Sequence, residues 1–385
     1  MIRRLGLILC AILSGSLALP AFAHKASDSY LVLRADGADT AASIDGQWDI
    51  ALRDLDFAIG IDANGDGEIT WGEVKARHAA IAAYALSRLQ LRGDGEPCLA
   101  KPTAHLIDEH SDGAYAVLRF TASCVRPVVQ LEIDYRLLFD LDPQHRGLLR
   151  LEKGGATRTA IFSPAQPTLK LDVATAGASS RWGELLQYGR EGIWHIWIGF
   201  DHVLFLISLL LPAVLTLRAR AWQPVDAFRP ALWDVVRIVT AFTVAHSMTL
   251  TLATIGVVSL PSRLVESVIA ISVVLAAANN LYPVVGGSRW VVAFGFGLIH
   301  GFGFATVLAE LGLRSSTLLV ALIGFNVGVE IGQLAIVLGF LPTAYVVRAT
   351  WVYRRLVVVG GSVVIILIAA LWFCERAFNL DLLSV

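Results

Sequence analysis

The chain is short of charge. Asp, Glu, Lys and Arg supply 16% of its 385 residues while hydrophobic residues supply 56%, and mean hydropathy reaches +0.64. Soluble globular domains carry about 25% charged residues, so this composition excludes an ordinary soluble enzyme and points to a chain made for lipid. A basic excess is missing as well. Lys and Arg number 31 against 32 Asp and Glu, with no long basic run, which argues against a nucleic-acid partner. Cysteine is scarce, with four residues. Cys10 falls in the leading segment and Cys374 in the last apolar run, which leaves Cys98 and Cys124 in a region read as exported. In an oxidising compartment a Cys98–Cys124 disulfide is the favoured reading over free thiols.

What is present begins with a targeting segment. Residues 1–23, MIRRLGLILCAILSGSLALPAFA, combine Arg3 and Arg4, an apolar stretch too short to span comfortably, and an Ala21-Phe22-Ala23 end. Those are the parts of a secretory signal peptide. The mature chain then starts at His24, whose amino group and imidazole together form a possible N-terminal metal capture site. Residues 24–185 read as an exported, periplasmic, mixed but β-rich domain: SYLVLRAD, GQWDIALRD, GAYAVLRFTA and VVQLEIDYRLLF alternate as half-buried strands do. One amphipathic helix is expected over WGEVKARHAAIAAYALSRLQL, and a last strand and linker from about 156 to 180.

Within this domain lies the most specific motif, DANGDGEITWGE at 62–73. Its spacing fits an EF-hand-like calcium loop. Asp62, Asn64 and Asp66 hold positions 1, 3 and 5, Gly67 position 6 and Glu73 position 12. Hard Ca²⁺ takes oxygen ligands, Gly67 allows the sharp turn, Glu68 offers its backbone carbonyl, Thr70 binds directly or through water, and the terminal carboxylate can bind bidentately. A single such loop suits a structural clip that orders a strand-to-helix turn better than it suits a paired sensor.

Beyond the linker, six apolar runs of membrane-spanning length are expected: 193–216, 232–258, 263–284, 290–311, 316–341 and 353–374. The fold class is therefore a six-span helical membrane bundle, residues 193–374, after a β-rich domain. Arg218, Arg220, Arg229, Arg289, Arg348, Arg354 and Arg355 fall on one side of these runs and Arg263 and Arg314 on the other. That bias puts both termini outside the bacterial inner membrane.

Polar groups inside the runs are costly and mark function by default. His195 and His202 lie seven apart, close to two helical turns, with Asp201 beside them. TVAHSMTL adds His246 and Ser247, FGFGLIHGFGFA adds His300 among glycines, and GFNVGVEIGQ adds Asn326, Glu330 and Gln333. His202, His246, His300 and Asn326 come out at a shared depth. Imidazoles with carboxylates match Ni²⁺, Co²⁺, Zn²⁺ or Cu²⁺ rather than Na⁺ or K⁺. The expected metal set is His195, Asp201, His202, His246, His300 and Glu330, with Asp201 alternatively orienting a histidine.

At these residues the chain resembles the HupE/UreJ family. The His195, five residues, Asp201-His202 arrangement and the His300-Gly301 pair carry the likeness, which is closest to members with a long exported N-terminal domain and extends from AHKASDSYLVL through GFGLIHGFGFA. The resemblance implies a six-span protein associated with nickel uptake. Where nickel permeases of that family carry a further histidine and a glutamate around the second motif, this chain has Phe296 and Gly303. The function expected is binding and transport of a divalent transition metal with a calcium-stabilised periplasmic domain. The alternative from another class is an intramembrane zinc hydrolase, with Asp201 or Glu330 as base and Ser247 assisting at the oxyanion.

Overall fold

The computed structural model describes residues 27–35, 42–110, 113–154, 156–173, 181–218, 221–284, 289–303 and 315–378. The expected signal peptide and His24 lie outside the described residues. The chain divides into two compact units, one holding the described residues of His24–Ser180 and the other those from Arg181 onward.

The first unit is built on a nine-stranded sheet ordered β8-β7-β1-β2-β5-β4-β3-β6-β9. Its strands are β1 (Asp28–Arg34), β2 (Ser43–Ala51), β3 (Leu89–Gly93), β4 (Glu96–His110), β5 (Gly113–Ser123), β6 (Gln130–Tyr135), β7 (Arg146–Lys153), β8 (Ala156–Phe162) and β9 (Thr168–Asp172). Every pairing is antiparallel except β1 with β7. The alternation read in the sequence buries Leu31, Leu33, Trp48, Ile50, Leu118, Phe120, Leu131 and Ile133 in one core. Cys98 and Cys124 form a disulfide closing 26 residues between β4 and the end of β5, a loop size that stabilises a domain by about 2–4 kcal/mol.

Two local expectations change. The helix expected over 71–91 is two short ones, α2 (Trp71–Ala76) and α3 (His78–Ser87), and its tail becomes β3. Leu89 and Leu91 alternate with exposed Gln90 and Arg92 and pair with β6 on one side and β4 on the other, so tertiary pairing overrides helix propensity there. The 62–73 loop follows a helix, α1 (Leu52–Ile59), rather than a strand. Ala51 ends β2, and Gly60, at φ 64°, ends α1 in the left-handed conformation that glycine permits.

A chain of buried polar groups crosses this core. Trp48 Nε1 donates to Ser29 Oγ (3.0 Å), which contacts Tyr135 OH (2.6 Å). Tyr135 OH in turn meets His145 Nε2 (2.6 Å), His145 Nδ1 meets Ser27 Oγ (2.6 Å), and Ser27 Oγ donates to Asp142 Oδ2 (2.7 Å). One orientation satisfies every member: each hydroxyl donates onward, and a neutral His145 accepts from Tyr135 and donates to Ser27. Burial, aided by Arg146, pushes His145 down to about 3.

The second unit contains α4 (Arg181–Ile198), α5 (Phe200–Leu210), a hairpin of β10 (Leu215–Arg218) and β11 (Ala221–Pro224), α6 (Phe228–Thr254), α7 (Ser262–Leu281), α8 (Arg289–His300), α9 (Ser315–Val347), a π-helical stretch Val352–Gly360, and α10 (Gly361–Phe378). Among the described residues, four segments are long and apolar enough to cross a membrane: Phe228–Thr254, Ser262–Leu281, Leu318–Val347 and Val352–Phe378. The run expected at 193–216 is no single straight helix. It is a pair, α4 and α5, bent by 70° and counting as a fifth span if taken together, and its last residues belong to a turn and to β10. The run expected at 290–311 begins in α8, a 12-residue helix that starts one residue earlier at Arg289 and ends at His300, and 304–311 lie outside the described residues.

The neutral His145 sets a direction for pH dependence. An unfolded chain protonates this imidazole near pH 6.5 and the folded one near 3, so the unfolded state binds more protons between those values. Stability of the β-rich unit is complete above about pH 6.5 and is lost as pH falls through that window. Amide-exchange protection of β1 and β7 in the full chain should fall from pH 7 to pH 5, and His145→Gln should flatten that slope.

Candidate metal centre in the membrane unit

Close backbone packing comes first, because the helices that carry the polar groups touch through glycines. A Cβ on Gly328 would strike the carbonyl of Gly189, and one on Gly192 that of Phe325, while Gly324 would place it 2.6 Å from Leu185 O. α4 and α9 therefore meet along small residues from both sides, the arrangement that gives dispersion contact in lipid, where the hydrophobic effect does not separate helix from solvent. On the other flank a Cβ on Gly297 would lie 2.5 Å from Phe242 O, and one on Gly301 would strike Thr249 Oγ1 and the carbonyl of His246. This seats α8 against α6 with His300 at its end.

The break between α4 and α5 builds the site. Seven residues along a straight helix separate two positions by about 10.5 Å, too far for a shared ion. At Gly199 the chain turns, and the rings of His195 and His202 come to 4.6 Å between centroids. A Cβ at 199 would lie 2.6 Å from His195 O and 3.0 Å from His202 Nδ1, so the turn needs glycine. Asp201 sits in the first turn of α5, where its carboxylate suits the helix dipole, and its Oδ1 receives both the backbone N–H of His202 and contact from His202 Nδ1 at 2.9 Å.

His246, fully buried in the middle of α6, completes a group. One nitrogen from each of His195, His202 and His246 can be chosen so that all lie within 4.8 Å of one another. The second nitrogens are engaged in a way that frees the first. Asp201 holds Nδ1 of His202, and Asn326 Oδ1 lies 3.4 Å from Nδ1 of His246. Nε2 of His202 and of His246 is buried with no hydrogen-bond partner. A carboxylate or amide against one ring nitrogen, with the other left without a protein partner, is the usual preparation of a metal-ligating imidazole.

The other expected residues, His300 beside this group and Glu330, are held by partners of their own. The His300 ring meets that of His202 edge-on, 5.2 Å between centroids, but its Nε2 meets Ser272 Oγ at 3.0 Å and its ring packs on Phe205 and Phe242. Glu330 accepts from Thr240 Oγ1 at 2.7 Å and is outside the three-histidine group. Ser247 donates to the carbonyl of Thr243 at 2.7 Å. Gly199 and Ser272 had no warning in the sequence: a glycine inside an apolar run and a serine three residues after Ile269 are common there, and only the break and the packing of α8 give them roles.

The second expected site, in the β-rich unit, is closed on itself. Asp62 accepts from the N–H groups of Gly65 (2.7 Å) and Gly67 (2.8 Å), Asn64 from Asp66 (2.8 Å), and Asp66 from Glu68 (2.9 Å). Glu73 Oε1 reaches Ala63 N at 3.0 Å, joining the twelfth position to the second, while its Oε2 forms a capping box with Thr70 at the start of α2. Those hydrogen bonds hold the Glu73 carboxyl below its usual range. The loop thus joins α1 to α2 with its acidic side chains gathered by the backbone.

Against known proteins, residues 172–376 match the family model described as HupE / UreJ protein, a little more than half of the chain and covering all three histidines of the group. Among curated proteins nothing matches.

The glycine contacts can be tested on their own. Gly328→Val in detergent-solubilised full chain should lower the melting temperature by several degrees, because α9 must move off α4. Gly339→Val, on the same helix with open space at its Cβ, should leave it unchanged. Equal melting of both variants would contradict the packing.

Proposed function

The chain belongs to the HupE/UreJ family, and from that membership and the three-histidine group we propose that it binds a divalent transition metal inside the membrane and transports it. The convergence of His195, His202 and His246 is the observation that carries this reading. Neutral imidazoles suit Ni²⁺, Co²⁺, Zn²⁺ and Cu²⁺, and they must be neutral to bind. Asp201 acts as the positioning carboxylate of His202, and His300 as a neighbour held by Ser272 at the edge of the group. The ion is cargo, so three protein donors with the remaining positions left to water favour release as well as capture.

A zinc hydrolase would draw on the same donors. The observed contacts turn Ser247 onto Thr243 and Glu330 onto Thr240, which takes the expected oxyanion group and one of the two expected bases away from the cluster. Transport is the better reading.

For the β-rich unit we propose a calcium clip at 62–73, with Asp62, Asn64, Asp66, the Glu68 carbonyl and Glu73 as donors. The helix-loop-helix setting and the gathered side chains support it, and a weak affinity would suffice where calcium is plentiful.

Full-length protein should bind about one equivalent of Ni²⁺, Co²⁺, Zn²⁺ or Cu²⁺ by equilibrium dialysis. His195→Ala, His202→Ala or His246→Ala should abolish that binding, and Asp201→Asn should weaken it about 10–100-fold. Proteoliposomes should take up the bound ion. Metal held without exchange and without uptake would favour the hydrolase, and no binding by the unaltered chain would remove both. For the loop, calcium should raise the melting temperature of the β-rich unit, and Asp62→Ala with Glu73→Ala should erase that rise. A melting temperature indifferent to calcium would reject the clip.

A further inference from the structure

Between α6 and α9 runs a groove of ≈ 700 Å³. Thr240, Thr243, Ser247 and Thr251 line it from α6, and Asn326 and Glu330 from α9. The hydroxyl positions follow one another at steps of three and four residues and so share one helix face. The rest of the lining is apolar, and Val244, Met248 and Val327 are each about half exposed along it, as residues facing lipid would be. Among the described residues lining the groove, Glu330 is the one with a carboxyl group.

Glu330 is undersupplied there. One oxygen takes the Thr240 hydroxyl at 2.7 Å, and the other, Oε2, is buried with no hydrogen-bond partner. An anionic carboxylate with one neutral donor in an apolar setting is expensive and needs a cation or a proton. The polar side chains that line the groove with it are the hydroxyls of Thr240, Thr243, Ser247 and Thr251 and the amide of Asn326; the Thr243 hydroxyl donates to Gln333 Oε1 at 3.0 Å. An all-oxygen set with a single negative charge suits a hard monovalent cation, in contrast to the nitrogen set of the three histidines. Asn326 joins the two, because it lines the groove and its Oδ1 lies 3.4 Å from His246 Nδ1.

We propose that Glu330 and the hydroxyls of the α6–α9 groove form a separate monovalent-cation site, taking Na⁺ or H⁺, which is coupled to the histidine group through Asn326. The coupling rests on the transport reading; the cation site does not. Glu330 lies outside the metal-ligand group and serves the co-transported or counter-transported ion instead.

A hydrophobic carbodiimide, dicyclohexylcarbodiimide, tests this in the full chain reconstituted in lipid, because it modifies neutral carboxyl groups in apolar surroundings. Mass spectrometry should find the adduct on Glu330, with none at this position in Glu330→Gln. If the site takes Na⁺, labelling falls about ten-fold when NaCl reaches ten times the Kd while choline chloride has no effect. If it takes H⁺, labelling falls as pH rises and ignores Na⁺. Labelling that responds to neither, or no labelling of Glu330, overturns the proposal. Transition metal should change the Glu330 labelling if the two sites are coupled; His246→Ala should abolish metal binding and that effect while leaving the Na⁺ or pH response in metal-free protein intact, whereas Thr240→Val should weaken the Na⁺ or pH response and leave metal binding intact. Cation-sensitive labelling in a chain that binds no transition metal would therefore fail the transport reading alone, and insensitive labelling in a chain that binds metal would fail this site alone.

Discussion

At Gly199 the carbonyl of His195 and the ring of His202 occupy the space that any larger residue would fill, and the chain bends by 70° around that point. The three-histidine group depends on this bend. It turns two histidines that a straight helix would hold about 10.5 Å apart into a pair of rings 4.6 Å apart, and it opens a helix start on which Asp201 can grip His202. The glycine contacts of α4 with α9 and of α6 with α8 then bring His246 and His300 to the same place. Backbone closeness is what lipid rewards, and here the same closeness sets the spacing of the ligands.

Two kinds of ligand are kept separate although they lie on neighbouring turns. Nitrogen donors gather around the bend between α4 and α5, and oxygen donors lie in the groove between α6 and α9, with Asn326 reaching both. On the function proposed, such a division would let the nitrogen group take a borderline transition metal and the oxygen groove a hard cation, without either donor set compromising the other. In the β-rich unit the polar groups are handled differently: the Trp48–Ser29–Tyr135–His145–Ser27–Asp142 chain satisfies itself and serves the fold.

Much of this was legible in the residues. Period-two alternation marked the strands around Leu31, Trp48, Leu118 and Ile133, apolar length marked the helices of the membrane unit, and the cysteine count pointed to Cys98–Cys124. The polar residues of the apolar runs marked the centre, since lipid penalises them wherever they serve nothing. The rest depended on contacts that no local pattern encodes. Seven-residue spacing suggested that His195 and His202 share a face of one straight helix, whereas the bend makes them neighbours. Glu330 shares composition with a metal ligand but is claimed by Thr240, and His300 by Ser272. The strand β3 carries a helix-like sequence that β4 and β6 recruit into the sheet.

The account turns on three histidines meeting one metal because of the bend at Gly199. X-ray absorption of the Ni²⁺- or Zn²⁺-loaded full chain measures that directly. It should show about three imidazole nitrogens at about 2.0–2.1 Å from the metal, reduced in number in Gly199→Ala. A shell made only of oxygens, or three imidazoles retained unchanged in Gly199→Ala, would contradict it.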